Sequence, residues 1–94
     1  MPDSPYPTVQ LRRESFGAAV RARRKQLGLS QEALSERAGC DRQSINRIEN
    51  SAYSPSLDRV FRLADALGVT LGELVGEFEA VHNRRISTPE AVAR

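Results

Sequence analysis

The stretch from Ser30 to Asn50, SQEALSERAGCDRQSINRIEN, constrains this chain more than any other, because it spells two short helices with a glycine between them. Ser30 has the side chain of an N-cap, and Leu34 and Ala38, four apart, give the first helix an inward face. Gly39 follows where the chain must turn through positive φ, and Asp41 stands where it can cap a second helix. In that second helix Ile45 and Ile48 share one face, while Arg42, Gln43, Asn46 and Arg47 take the opposite side. Those polar side chains suit the edges of base pairs. An arginine matches guanine O6 and N7, and a glutamine or asparagine amide matches adenine N6 and N7.

The pattern resembles the helix-turn-helix proteins of the phage repressor and Cro (Xre) type, and the likeness extends beyond the motif. Phe16 to Leu29, with Val20, Arg21 and Arg24 ahead of Leu27-Gly28-Leu29-Ser30-Gln31, is similar to that family's first helix and the joint to its second. Ile48-Glu49-Asn50, Pro55-Ser56-Leu57, Leu63-Ala64 and Ala66-Leu67-Gly68-Val69 are similar to its later helices, so the resemblance covers about residues 14 to 76. Five consecutive segments with matching joints are far more specific than one short motif. The resemblance implies an all-α, five-helix, repressor-like domain that binds double-stranded DNA, with no cofactor.

It also implies roles for particular residues. Arg42, Gln43, Asn46 and Arg47 become the base-contacting set. Ser30 and Gln31 stand at the first turn of the motif's first helix, where a phosphate meets backbone N–H groups and the positive end of the helix dipole. By the same resemblance Gln31 braces a polar residue at the start of the reader, Arg42 or Gln43. Arg24 and Glu49 correspond to an ion pair that ties the first helix to the end of the recognition helix. Asn50, Ser51, Tyr53 and Ser54 fall in the loop that meets the sugar-phosphate backbone. Two positions depart from the family pattern. Ser35 replaces a usual alanine at a close helix contact, where its hydroxyl can bond back to the preceding turn. In the loop, glycine followed by basic residues is replaced by Ser51-Ala52-Tyr53-Ser54, so phosphate contacts there are neutral. Compensation from Arg21, Arg23 or Lys25 depends on which way their helix faces point.

Net charge is only +2, but its distribution is uneven. From Arg12 to Arg47 there are nine Arg or Lys against four Asp or Glu; from Glu49 to Glu79 there are two against six. The basic half holds the motif, and phosphate neutralisation draws on that half. No apolar run approaches the ~20 residues of a membrane span, and the first residues lack the pattern of a signal peptide. A cytoplasmic protein is expected. Cys40, the single cysteine, stands in the motif's turn in place of a small apolar residue and reads as an inert thiol. His82 has no partner at metal-ligand or dyad spacing, so no metal or catalytic site is expected.

The chain divides into an N-terminal arm over 1–12, a helix-turn-helix domain over 13–79 and a C-terminal tail over 80–94 that is partly helical. The first helix begins near Glu14, or as early as Val9, and ends at Gly28; Ser56 caps the fourth, and Thr70-Leu71-Gly72-Glu73 has capping-box spacing for the fifth. Phe16, Val20, Leu34, Ile45, Ile48, Leu57, Val60, Leu63, Ala64, Leu67 and Leu74 are the expected core, each large member worth ~1.5 to 3 kcal/mol when buried. Leu71, Leu74, Val75, Phe78 and Val81 give the fifth helix an apolar face that suits a homodimer, unless Leu74 and Phe78 complete the monomer's own core. Sequence-specific regulation at a palindromic operator is the first functional reading. A protein-interaction module of the same fold, such as an antitoxin with a protein partner, is the second; an enzyme using Cys40 is the weakest. A polar, basic outer face over residues 41–47 favours the first, and a large apolar patch there favours the second.

Overall fold

The computed structural model describes residues 7–86. They form α1 (Pro7–Gln26), α2 (Gln31–Ala38), α3 (Arg42–Glu49), α4 (Leu57–Ala66) and α5 (Leu71–Ile86), with no strand among them. Each interior start has the cap expected of it. Ser30 Oγ accepts from the Ala33 N–H at 3.0 Å, Asp41 Oδ1 from Ser44 at 3.3 Å and Ser56 Oγ from Arg59 at 3.1 Å. Thr70 and Glu73 bond reciprocally, at 3.0 and 2.8 Å, closing a capping box.

The helix ends share one geometry. The Leu29 N–H returns to Arg24 O, Cys40 to Ser35 O, Ala52 to Arg47 O and Val69 to Ala64 O, each closing the last turn over a residue of positive φ. Three of those residues are Gly28, Gly39 and Gly68; the fourth is Ser51, with φ of 65°. These four turns stand at the α1–α2, α2–α3, α3–α4 and α4–α5 joints in succession.

Val20, Leu34, Ile45, Ile48, Leu63, Leu67 and Leu74 are fully buried in the core that results, with Phe16 and Val60 packed at its edge. Leu57 departs from the expected core and is 66% exposed. It opens α4, one turn before the face formed by Val60, Leu63, Ala64 and Leu67 meets the rest of the molecule, so nothing lies over it.

Two boundaries also differ from the sequence reading. α1 begins at Pro7, whose fixed φ and missing N–H suit a first helical position, so Thr8 to Arg12 are helical rather than part of an arm. α5 runs on to Ile86, seven residues past the expected edge of the domain. Its extension is tied to α1 by Arg85 to Glu14 at 3.3 Å and by His82 Nδ1 to Ser15 Oγ at 3.3 Å. The arm residues 1–6 and the start signal Thr88-Pro89-Glu90 lie outside the described residues.

The long α1 changes what α5 can offer a partner. Leu74 is fully buried, Phe78 meets Phe16 edge to face at 6.3 Å and stacks on His82 at 5.6 Å, and Val81 is half-buried. α1 therefore covers most of the apolar face that the sequence left open. Among the described residues, the large apolar side chains still exposed are Leu27, Leu57, Phe61, Val75 and Ile86.

Candidate nucleic-acid interface

Ile45 and Ile48 anchor α3 on its inner side, and the 100° step between residues then turns Gln43 and Arg47 straight outward, with Arg42 beside them. All three are exposed. Asp41, which caps this helix, has a carboxyl held below its ordinary pKa chiefly by the Ser44 hydroxyl, so the acceptor stays charged.

Asn46 is placed differently from the other three. It is half-buried, and its Nδ2 donates to Gln31 Oε1 at 3.3 Å. Gln31 Nε2 in turn donates to Glu49 Oε1 at 3.1 Å. A carboxylate only accepts, which sets the direction of both amides. The brace from Gln31 thus reaches Asn46, not Arg42 or Gln43. Asn46 and Glu49 are three apart on the side of α3 that meets the start of α2, whereas Gln43 is a further turn away.

Arg24 and Glu49 complete the chain of bonds. Arg24 Nε and Nη2 hold the two carboxylate oxygens at 2.7 and 3.0 Å, and Nη1 donates to Leu29 O at 2.7 Å. Their side chains are only 10% and 3% exposed. The hydrogen bond to Glu49 holds the Arg24 guanidinium above even its usual high pKa, against the opposing effect of burial. Four residues from α1, α2 and α3 thereby form one polar network behind the exposed face of α3. This arrangement can fix the orientation of α3, and it leaves Gln43 and Arg47 free to bond elsewhere.

The sequence reading missed Gly17. A side chain there would fall inside contact distance of the Ile48 carbonyl oxygen and 2.9 Å from that of Glu49, so α1 and the end of α3 approach backbone to backbone. A lone glycine inside a strong helix pattern was the available signal.

On the flank, Ser30 and the loop residues Asn50 and Ser54 are exposed, while Gln31, Ser51 and Tyr53 are half-buried. Asn50 Nδ2 donates to Asn46 O at 2.9 Å and so helps close α3. Arg23, one of the residues considered as compensation for the neutral loop, bonds to Leu67 O at 3.4 Å and to Gln26 at 3.3 Å, toward the end of α4 and away from the loop. Ser35 bonds back to Glu32 O at 2.7 Å, as expected for a serine at that contact. Cys40 is half-buried against the core.

The helix-turn-helix family profile matches residues 20–74, more than half of the chain and all four members of the Arg24–Glu49–Gln31–Asn46 network. The chain belongs to the helix-turn-helix family. Its type is that of Cro and the phage repressors, a class of regulatory DNA-binding proteins and not of enzymes. It is 53% identical over 49 residues to an uncharacterized HTH-type transcriptional regulator of Methanothermobacter thermautotrophicus, covering 52% of this chain and 71% of that one. It is 38% identical over 63 residues to the immunity repressor protein of Bacillus phage phi105, covering 67% of this chain but 44% of the repressor. Among solved structures, the restriction-modification controller protein C.AhdI from Aeromonas hydrophila superposes with a TM-score of 0.64 at 35% identity, over 66% of this chain and 94% of that one. The clp gene regulator ClgR from Corynebacterium glutamicum gives 0.79 at 23% identity over 88% and 87%, a likeness of fold alone. Among the described residues no helix is long and apolar enough to cross a membrane.

Proposed function

We propose that this helix-turn-helix protein regulates transcription by inserting α3 into the major groove of a palindromic operator, one protomer on each half-site. The observation that carries the reading is the outer face of α3, where Arg42, Gln43 and Arg47 are exposed and polar on a helix braced from behind by the Arg24–Glu49–Gln31–Asn46 network. Gln43 and Arg47 are the principal base readers in this proposal. Asn46 combines bracing with any base contact its remaining Oδ1 can make. Ser30, Gln31, Asn50, Ser51, Tyr53 and Ser54 meet phosphates on either side of the groove, several of them through backbone N–H groups.

Selection from a randomised duplex pool tests this directly. Gln43→Ala and Arg47→Ala should each lose ~1 to 3 kcal/mol of discrimination at one or two positions, whereas Ser30→Ala should weaken all sequences alike. Unchanged sequence preference in both reader variants would overturn the assignment of α3.

Two half-sites about 10 base pairs apart call for a two-fold axis, and we propose a homodimer to supply it. With α5 largely covered by α1, the exposed apolar side chains proposed for the interface are Phe61, 47% exposed, with Leu57 one turn before it on α4, and Val75 on α5; Leu27 and Ile86 are the others exposed among the described residues. Sedimentation of Phe61→Asp beside the wild type, with and without a palindromic duplex, checks this. A wild type that stays monomeric on the duplex would refute it. The outer face of α3 holds no apolar patch of the kind an antitoxin-like module would present, which favours DNA over a protein as the partner of that face.

A further inference from the structure

Asn50 to Pro55 join α3 to α4 without a single lysine or arginine, although this loop lies on the side of the molecule proposed to meet the DNA backbone. The first turns of α1 reach it. Arg13 Nε donates to Ser54 Oγ at 2.9 Å, and Gln10 Nε2 points at Ser51 O at 3.5 Å. Arg12, Arg13, Tyr53 and Ser54 line the same cleft of about 260 Å³. At 100° per residue, Val9 and Phe16 form the floor stripe of that cleft on α1, with Arg12 on one side of it and Arg13 on the other.

Both guanidiniums have bonding capacity to spare. The bond to Ser54 occupies only the Nε–H of Arg13 and leaves its four Nη N–H groups, of which one from each Nη can hold a phosphate bidentately. Arg12 is exposed, and among the described residues neither arginine has a carboxylate partner. Glu14, the acid nearest in sequence, is engaged by Arg85 of α5.

We infer that Arg12 and Arg13 are phosphate-contacting residues, through which the first turns of α1 supply the DNA backbone with the cations that the α3–α4 loop lacks. The inference rests on the proposed reading that α3 occupies the groove and this loop its flank. Such contacts carry no sequence information, but each neutralised phosphate releases counterions and steepens the salt dependence of binding by ~0.9 in log K against log salt.

The test is the salt dependence of duplex binding by the full chain. Relative to wild type, Arg12→Gln/Arg13→Gln should lower the slope by ~1.8 per bound protomer, so that between about 50 and 200 mM salt the wild type loses about tenfold more affinity than the variant. Preference in a randomised pool should stay the same, and Arg12→Lys/Arg13→Lys should keep the wild-type slope. Arg12→Gln alone, which removes no hydrogen bond found here, should lower the slope by ~0.9 even if loss of the Arg13–Ser54 bond unsettles the loop. Arg84→Gln is the control: Arg84 stands beside Ala18 and Ala22 on the opposite side of α1 and should leave the slope unchanged. A slope unaltered in the double variant, or a changed base preference, overturns the inference. If the wild type fails to bind duplex DNA, or if the Gln43 and Arg47 variants leave preference unaltered, the reading of α3 fails instead; the two failures are thus separable.

Discussion

Gly17→Ala sets two effects of opposite sign against each other, and the structure decides between them. In an isolated helix the change should help, because alanine is favoured over glycine by ~1 kcal/mol at an interior position. Here the added carbon would meet the Ile48 and Glu49 carbonyl oxygens and stand 3.1 Å from the Glu49 carbonyl carbon. An unstrained carbon–oxygen approach is about 3.3 to 3.6 Å, so α1 and α3 must separate by at least ~0.5 Å. The obstacle is backbone, which cannot swing aside as a side chain can. Overpacking of this kind costs ~1 to 3 kcal/mol, and the measured loss should be the remainder after the propensity gain, up to ~2 kcal/mol. Gly76→Ala provides the comparison, since Gly76 lies inside α5 with nothing within 4 Å of an added carbon. That variant should gain ~0.5 to 1 kcal/mol. Urea denaturation of the three proteins gives both numbers, and for a chain of this size 1 kcal/mol moves the melting temperature by ~4 to 8 °C. If Gly17→Ala proved as stabilising as Gly76→Ala, the close approach of α1 to the end of α3 would be refuted.

The Arg24–Glu49 pair should behave as a buried unit: Arg24→Met or Glu49→Leu alone costs ~3 to 5 kcal/mol, and the double replacement recovers much of the loss in a denaturation cycle. Additive losses would mean that the two side chains act separately. Ser51→Gly should stabilise by ~0.5 to 1 kcal/mol, because it relieves a left-handed residue of its Cβ penalty while giving back part of the gain through a freer unfolded chain; thermal melts check the sign.

Local chemistry was the legible part of this fold. Caps at Ser30, Asp41, Ser56 and Thr70 and turns at Gly28, Gly39 and Gly68 depend on neighbours within a few residues, and all of them form as the residue types require. The left-handed turn at Ser51 hid for the same reason: serine carries no signature for positive φ, and only its place one helix turn after Ile48 imposes it. What spacing along one helix cannot give is the rotation of one helix about its axis relative to another. Leu57 was misplaced for a different reason, since it shares the angular face of Val60 and Ala64 but stands at the very start of α4, before that face meets the core. The brace from Gln31 was misplaced for want of that rotation: the pattern allowed it to reach Arg42 or Gln43, but it bonds to Asn46.

That misplacement bears on how the reader is controlled. Gly17 and Arg24 are seven apart, two turns along the same side of α1, and both act on the last turn of α3, one by close approach and the other through Glu49. Glu49 passes the constraint to Gln31, and Gln31 passes it to Asn46 in the middle of the reader. Orientation of α3 is therefore set from its far end and from its side, by groups behind its exposed face. Gln43, one turn before Asn46, and Arg47, next to it, have exposed side chains for which no bond within the described residues competes. Under the proposed function, a reader helix held from behind can change its outward residues, and with them its operator, without disturbing the network that aims it.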